Sequence, residues 1–261
     1  MPKVAVQTFT VRKHLKTLEA IVQTFTKLHS MGVNAVELAR IKWTPAEIDT
    51  VEKITKQLGM VVGSTQNTFD YLRKNFEWSV KLHKQLNCKN VVVSVLPMRC
   101  IFGNVNTLID FAFELEKLGK AYRQQGFRLL FHHHHFEFKR YGEELGFDIL
   151  MNNTSAENVG LVLDTYWLQR GGKTPHEFIE QYANRVEVVH LRDYKIQWKL
   201  LDLLPSDAEL GNGNLDFNKI ITSCIKANVS YMAIEQETKT PFESIEISVN
   251  HIKSLAFKEL F

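Results

Sequence analysis

The sequence has little cysteine, little net charge and no long apolar run. Its three cysteines, Cys88, Cys100 and Cys224, are widely spaced, and none lies in a CxxC pair. This pattern excludes a disulfide framework and a cysteine-rich zinc site. The net charge of +3 is too small by itself to indicate nucleic-acid binding.

No apolar stretch approaches the roughly 20 residues of a membrane-spanning helix. The first residues, MPKVAVQTFTVRK, contain neither the apolar run nor the small-residue cleavage site of a signal peptide. Apolar residues make up 44% of the chain and charged residues 23%, which excludes an extended disordered chain. We therefore expect a soluble cytoplasmic protein without a membrane or nucleic-acid partner.

Short β-branched runs alternate along the chain with longer segments of helical period. Each run begins about 30 residues after the previous one, which is the size of a βαβ unit. The predicted strands are Val4–Phe9, Ala35–Leu38, Val61–Ser64, Val91–Val95, Arg128–His132, Val159–Asp164, Val186–Leu191 and Tyr231–Glu235. Eight such units predict an α/β protein with a single (β/α)8 TIM barrel domain over residues 1–261. A doubly wound open sheet is the alternative, but no GxGxxG motif follows the first strand.

The segments between the predicted strands have the apolar spacing of helices. Between Ile48 and Leu58, for example, apolar residues recur every three or four positions, and Gly59 follows. Thr44 and Pro45 precede this segment. They predict an N-cap with proline in the first helical position, and the glycine predicts the helix end.

Ionisable side chains end four consecutive predicted strands. The fifth strand ends in His132–His135 and is followed by Glu137, the sixth ends in Asp164, the seventh carries His190, and the eighth carries Glu235. Since active sites of TIM barrels lie where the strands end, we expect these side chains to converge. Each acid follows an apolar run, where an unpaired charge would cost several kcal/mol. A divalent metal would compensate them together, whereas local pairing with Arg or Lys is the alternative.

Four consecutive histidines cannot all face the same way. Strand alternation sends His132 and His134 to one side, and His133 and His135 to the other. One pair can enter the barrel mouth, and the other is expected to pack against helices or to bond backbone groups.

Other polar or aromatic residues near the strand ends each allow two interpretations. Glu37 either contacts a substrate hydroxyl or braces the barrel interior through a buried hydrogen bond. Trp167 either belongs to the core or forms a wall of the pocket. The segment Gly211–Asn214 reads GNGN before a predicted helix, and it is either a plain turn or a phosphate cradle.

Seven segments together carry a family resemblance, and they occur in a fixed order along nearly the whole chain. They are VAVQTFTVR, GVNAVEL, FHHHHFEF, LVLDTYWLQRGG, RVEVVHLRDY, ELGNGNLDF and AIEQE. In this order and spacing the sequence resembles the sugar phosphate isomerase/epimerase family, whose fold is the xylose isomerase-like TIM barrel. The set is specific for the family but not for a substrate.

The resemblance implies one divalent metal ion, Mn, Zn, Co or Mg, at the C-terminal mouth of the barrel. It assigns Asp164, His190 and Glu235 as metal ligands. The fourth ligand comes from the fifth strand, and the HxHxxE pattern favours Glu137, with His132 as the alternative. Many relatives place a glutamate at the position of His132.

The resemblance also implies a reaction. The metal polarises a carbonyl, a side chain removes the adjacent proton, and the resulting enediolate is reprotonated at another carbon or from the other face. Glu235 and His134 are the implied acid/base pair, with Glu137 a candidate if it is not a metal ligand. The candidate substrate-binding residues are Gln7, Glu37, Trp167 and Asp193.

The resemblance leaves several activities open. The leading interpretation is a sugar, sugar phosphate or polyol isomerase or epimerase, and the alternative is a related lyase or dehydratase acting on a keto-sugar. An endonuclease-IV-like phosphodiesterase would need several zinc ions and a basic groove, and a non-catalytic sugar-binding barrel would need no metal. The expected partner is a small sugar, and a homo-oligomer is left open.

Overall fold

The computed structural model describes residues 1–199, 202–255 and 257–261 and contains a closed parallel barrel. The strands of the described residues are β1 (Lys3–Gln7), β2 (Ala35–Leu38), β3 (Val61–Asn67), β4 (Asn90–Val93), β5 (Arg128–His132), β6 (Arg140–Tyr141), β7 (Glu144–Leu145), β8 (Val159–Asp164), β9 (Val186–Leu191), β10 (Asp193–Lys199), β11 (Asp202–Ala208) and β12 (Tyr231–Ile234). Eight of them close the barrel in the order β1-β12-β9-β8-β5-β4-β3-β2. The (β/α)8 barrel predicted from the sequence is therefore confirmed.

Helices surround the barrel. They are α1 (Leu18–Ser30), α2 (Pro45–Leu58), α3 (Phe69–Lys74), α4 (Phe76–Gln85), α5 (Met98–Ile101), α6 (Val105–Gln124), α7 (Gly146–Asn152), α8 (Thr165–Arg170), α9 (Pro175–Gln181), α10 (Phe217–Lys226) and α11 (Pro241–Ser254). Short 3-10 turns cover residues 12–14, 136–138 and 258–260. Within the described part of the chain, no helix combines the length and the apolar composition needed to cross a membrane.

The ends of α2 follow from its sequence. Thr44 has extended backbone angles at the N-cap, and Pro45 occupies the first helical position. Gly59 ends the helix with φ 66°, in the left-handed region, where a residue with a Cβ would be strained. The buried residues Ile48 and Val51 belong to the apolar face of α2, which packs against the core.

The predicted strand boundaries agree with the structure except near the mouth of the barrel. The strand predicted as Val61–Ser64 extends to Asn67, and the one predicted as Val91–Val95 covers Asn90–Val93. The strand predicted as Val4–Phe9 covers Lys3–Gln7, and the one predicted as Tyr231–Glu235 stops at Ile234. The residues beyond these ends turn out of the sheet to form the mouth. Glu235 therefore lies just beyond the end of the sheet, where it lines the cavity at the mouth.

The barrel interior below the mouth is filled by apolar side chains of unequal size. Small residues lie on β1, β2 and β12, and larger ones lie on β4, β5, β8 and β9. The two groups are Ala5, Ala35 and Ala233, and Val92, Leu130, Val162 and Val188. Tyr231 packs against both groups. The interior is thus a packed core, and polar chemistry is confined to the C-terminal end of the strands.

The hairpin of β10 and β11 was not predicted from the sequence. It follows β9 directly and pairs Asp193 with Ala208 in antiparallel register. One of its faces carries Ile196 and Trp198, which are 47% and 72% exposed. The base of the hairpin reaches the mouth of the barrel, because Pro205 and Asp207 line the cavity there.

Candidate metal centre and active site

The C-terminal ends of the barrel strands open into a cavity of about 680 Å³. Its lining includes His132 from β5, Arg192 after β9, and Glu235 after β12. His134 and Trp167 form part of its wall. A cavity of this size and position is where a small ligand binds in this architecture.

Four buried side chains converge at the floor of this cavity. His132, Asp164, His190 and Glu235 each offer one donor atom, and these atoms all lie within 4.8 Å of one another. The four residues are between 0% and 5% exposed. The structure thus brings together the three ligands that the family resemblance implied, with His132 as the fourth member. We call these four residues the donor cluster.

The donor atoms of the cluster are placed to bind a metal ion instead of hydrogen-bonding to one another. Among the described residues, Nε2 of His132, Oδ2 of Asp164 and Nδ1 of His190 have no hydrogen-bond partner, although all three are buried. Nδ1 of His190 lies 3.0 Å from Oε2 of Glu235 but not in the direction of a hydrogen bond. Unsatisfied buried polar atoms are rare and costly. Two imidazoles and two carboxylates suit a borderline divalent ion such as Zn²⁺, Co²⁺ or Mn²⁺.

Arg192 introduces a positive charge beside the donor cluster. Its Nη1 lies 3.1 Å from Oε1 of Glu235 and 3.6 Å from Oδ2 of Asp164, and its Nη2 lies 2.9 Å from Oδ1 of Asp207. Only 5% of the residue is exposed. Arg192 was not predicted from the sequence as a residue of the site. Its position two residues after His190, at the end of an apolar strand, is the signal that could have identified it.

The charges of the site shift the pKa values of its carboxyl groups. Burial would raise the pKa of Asp164 and of Glu235, but the guanidinium of Arg192 and the neighbouring imidazoles together outweigh burial and leave both pKa values below their ordinary range. Both groups are therefore ionised near neutral pH. For His190, burial would lower the pKa, but the carboxylate of Glu37 and the other acids around it raise the pKa well above its usual value.

Glu137, favoured over His132 as the fourth ligand by the sequence analysis, lies outside the donor cluster. It belongs to the 3-10 turn Phe136–Phe138. Its Oε2 accepts a hydrogen bond of 2.8 Å from the backbone N–H of His134, and burial raises its pKa to about 8. The physical reason is that the chain leaves the sheet at His132 and turns, so that the strand spacing no longer aims Glu137 at the mouth.

The histidines of the run divide as strand alternation predicts. His132 and His134 line the cavity. His133 points away from it: its Nδ1 bonds the carbonyl of His134 at 3.0 Å, and its Nε2 accepts the backbone N–H of Asp164 at 3.1 Å. Burial lowers the pKa of His134 to about 2, so its imidazole is neutral near neutral pH.

The four candidate substrate-binding residues separate into two pairs. Gln7 and Trp167 line the cavity, whereas Glu37 and Asp193 do not. Nε2 of Gln7 donates to Oε2 of Glu235 at 2.9 Å. The ring of Trp167 lies 5.2 Å from that of His134, so Trp167 forms a wall of the pocket as one of the two sequence interpretations proposed.

The carboxylate of Asp193 is hydrogen-bonded by backbone N–H groups in and beside the GNGN segment. Its two carboxylate oxygens accept four backbone N–H groups, from Tyr194, Gly211, Gly213 and Leu215, at 2.8 to 3.1 Å. The loop therefore cradles a carboxylate of its own chain instead of a phosphate. No substrate contact is left to this side chain, because it is fully buried and its acceptor sites are filled.

Proteins of known sequence and structure resemble this chain to different extents. An inosose dehydratase of Clostridium botulinum (strain Alaska E43 / Type E3) is 30% identical over 135 residues. This match covers 47% of the chain and 45% of that protein, so the chain spans less than half of this relative's length.

Solved structures share the fold over the whole chain. A sugar phosphate isomerase/epimerase from Parabacteroides distasonis has a TM-score of 0.77 at 20% identity and covers 100% of this chain and 96% of its own. The IolI protein, solved with a bound zinc atom, has a TM-score of 0.68 at 14% identity over 99% of both chains.

The family model described as the xylose isomerase-like TIM barrel matches residues 25–255. This range runs from α1 to the end of α11 and includes all four residues of the donor cluster. The chain therefore belongs to the xylose isomerase-like TIM barrel family.

Proposed function

We propose that this protein is a divalent-metal-dependent isomerase or epimerase that moves a proton on the carbon next to a carbonyl of a sugar or related polyol. The observation that carries the proposal is the donor cluster, which lies at the floor of a cavity large enough for a sugar. Sequence relatives and structural neighbours that act on sugars and inososes support it.

His132, Asp164, His190 and Glu235 would hold the metal ion. When bound, a divalent cation supplies Lewis acidity, which polarises a carbonyl and stabilises negative charge on its oxygen. The zinc atom bound to the IolI protein supports a metal in this fold. The buried, unpaired donor atoms of this chain support it independently.

Glu235 and His134 would exchange protons with the substrate carbon. The two side chains come from β12 and β5, which lie three positions apart in the barrel order, and both line the cavity. The imidazole of His134 is neutral because burial lowers its pKa to about 2. A pKa this low makes the free imidazole a weak base, so the proposed role requires that bound substrate raise the pKa of His134.

The remaining lining would orient the substrate. The indole of Trp167 offers a flat apolar surface to the C–H face of a sugar, whereas Gln7 and Ser94 offer polar groups to its hydroxyls. Arg192 would hold the carboxylates of Asp164 and Glu235 in place, because its guanidinium contacts both.

Deuterium uptake tests the proposed proton transfer directly. Manganese-loaded protein is incubated in D2O with a panel of keto-sugars and inososes, and exchange at carbon is followed by NMR. We expect exchange with at least one compound, and none with metal-stripped protein or with Asp164→Ala. Absence of exchange with the whole panel, despite bound metal, would contradict the proposal.

Dehydration is the second candidate function, and the relative named inosose dehydratase favours it. The first step is the same removal of a proton next to a carbonyl. The C–O bond of the hydroxyl on the next carbon then breaks, and this hydroxyl leaves as water after receiving a proton. A product that is one water molecule lighter by mass spectrometry would indicate this outcome. A product of unchanged mass would indicate isomerisation or epimerisation.

A further inference from the structure

Glu37 is a buried carboxylate that contacts His190 across the barrel interior. Its Oε1 lies 2.9 Å from Nε2 of His190, and the two residues are 1% and 0% exposed. The strands that carry them, β2 and β9, are separated by β1 and β12 in the barrel order. The contact is therefore specific to the closed barrel.

A register shift between β2 and β3 positions the hydrogen-bond partners of Glu37. The register between β2 and β3 shifts after Val36, so that Gly63 is skipped and Ser64 lies opposite Glu37. The hydroxyl of Ser64 and Nε2 of Gln66 both donate to the Glu37 carboxylate. With His190 as the third donor, the carboxylate is fixed from three sides. Such bulges aim side chains near functional sites.

This contact decides which nitrogen of His190 is free. An ionised carboxylate only accepts hydrogen bonds, so Nε2 of His190 must carry a proton. A metal-bound imidazole is neutral and has a single N–H, so the lone pair that binds the ion lies on Nδ1. This is the nitrogen that points into the donor cluster, 3.7 Å from Oδ2 of Asp164.

His132 uses the opposite nitrogen and a weaker partner. Its Nδ1 lies 3.0 Å from the carbonyl oxygen of Ser94, which leaves Nε2 for the donor cluster. A carbonyl carries no full charge, whereas Glu37 does. The charged partner fixes the orientation of His190 more strongly than the carbonyl fixes that of His132.

We propose that Glu37 is a positioning residue for the metal centre: it holds His190 in the tautomer with the proton on Nε2 and presents Nδ1 to the ion. This role rests on the proposed function, because it requires a bound metal. It differs from the substrate contact that the sequence also allowed. Glu37 does not line the cavity, and its carboxylate already accepts three donors.

Zinc affinity tests the role without any substrate. The dissociation constant for zinc is measured by competition with a chromophoric chelator for wild type, Glu37→Ala and Glu37→Gln. We expect Glu37→Ala to bind zinc about 10–100-fold more weakly, the usual effect of removing a partner of a metal-bound histidine. Glu37→Gln should be intermediate, because its amide oxygen can still accept from Nε2.

A matched control separates this role from a loss of folding. Glu116 also accepts three hydrogen bonds, two from Ser155 and one from Asn158, but it lies on α6 away from the cavity. Glu116→Ala should leave zinc affinity unchanged.

The protonation of His190 gives a second, independent measurement. In ¹⁵N NMR of zinc-loaded protein, His190 should show a protonated Nε2 in wild type and in Glu37→Gln.

The outcomes distinguish the two proposals. Equal zinc affinity of wild type and Glu37→Ala would overturn the positioning role and leave the proposed function standing. A protonated Nδ1 of His190 in the zinc-loaded wild type would also overturn it. Binding of neither zinc nor manganese by the wild type would overturn both proposals.

Discussion

At the scale of single residues, loss of a metal ligand and loss of the proton-transfer residue His134 should have different effects. Glu235 has both proposed roles and does not separate them. Metal ligands hold the ion itself, so their loss empties the site. A proton-transfer residue acts on the substrate, so its loss slows turnover while the ion stays bound. Metal content and turnover, measured on the same variants, separate the two classes.

The first prediction concerns the fourth ligand. Asp164→Ala, His190→Ala and His132→Ala should lose most of the bound metal and all deuterium-exchange activity. Glu137→Gln should keep its metal, because Glu137 bonds the backbone of His134 and lies outside the donor cluster. Metal analysis after loading and gel filtration checks this. Metal loss in Glu137→Gln together with retention in His132→Ala would restore Glu137 as the ligand.

The second prediction concerns His134. His134→Ala should retain the metal, and its turnover should fall by roughly 10²–10⁴-fold, the usual contribution of a positioned acid or base. The comparison is made across a manganese titration with the substrate found by deuterium exchange. Full recovery of turnover at high manganese would show that His134 supports metal binding instead of proton transfer.

At the scale of elements, His83 links α4 to β3 inside the core. Its Nδ1 bonds the carbonyl of Ser79 at 2.6 Å and its Nε2 lies 2.7 Å from Oγ1 of Thr65. The ring is therefore satisfied as a neutral imidazole, with Nδ1–H donating and Nε2 accepting. Burial lowers its pKa from 6.5 to about 4.

This histidine predicts a pH dependence of stability. Between pH 6.5 and about 4 the unfolded chain binds the proton and the folded chain does not, so the free energy of unfolding should fall as the pH is lowered. The expected loss is on the order of 3 kcal/mol. Urea unfolding of wild type and His83→Gln at pH 7 and pH 4.5 measures it. An equal pH dependence of both proteins would contradict the assignment.

The loop between β11 and α10 depends on the carboxylate of Asp193 for its stability. Asp193→Asn replaces one acceptor oxygen by a donor, which then faces backbone N–H groups of the loop. We expect the free energy of unfolding to fall by about 2 kcal/mol, the cost of unsatisfied buried donors. Urea denaturation measures it, with the exposed Asp110→Asn on α6 as the control. A loss no larger than that of the control would contradict the cradle described here.

At the scale of the whole molecule, the donor cluster joins β5, β8, β9 and β12 at one point. An ion bound there stabilises the folded state by mass action, by about 2.7 kcal/mol when free metal is 100 times its dissociation constant. For a chain of this size, the melting temperature should rise by on the order of 5–10 °C. Thermal unfolding with zinc and with EDTA measures this. A rise of the same size in Asp164→Ala would place the stabilising ion elsewhere.

Much of the molecule could be predicted because its signals are local. The alternation of apolar strands and helical segments repeats eight times, and each strand end is marked by a change from apolar to polar residues. Asp164, His190 and Glu235 stand out because an acid or imidazole after an apolar run needs a partner. The hairpin of β10 and β11 was missed because its strands carry no comparable apolar run.

The sequence by itself determined the barrel, the end of it that carries the polar residues, and three of the donors there, Asp164, His190 and Glu235. The tertiary structure decided the rest, because these features depend on contacts between residues far apart in the chain. Closure of the barrel brings Glu37 to His190, 153 positions away, and folds the GNGN loop onto Asp193. Because the chain turns after β5, Glu137 lies outside the donor cluster, whereas His132 belongs to it. Arg192 acquires its role only where Asp164, Asp207 and Glu235 meet around it.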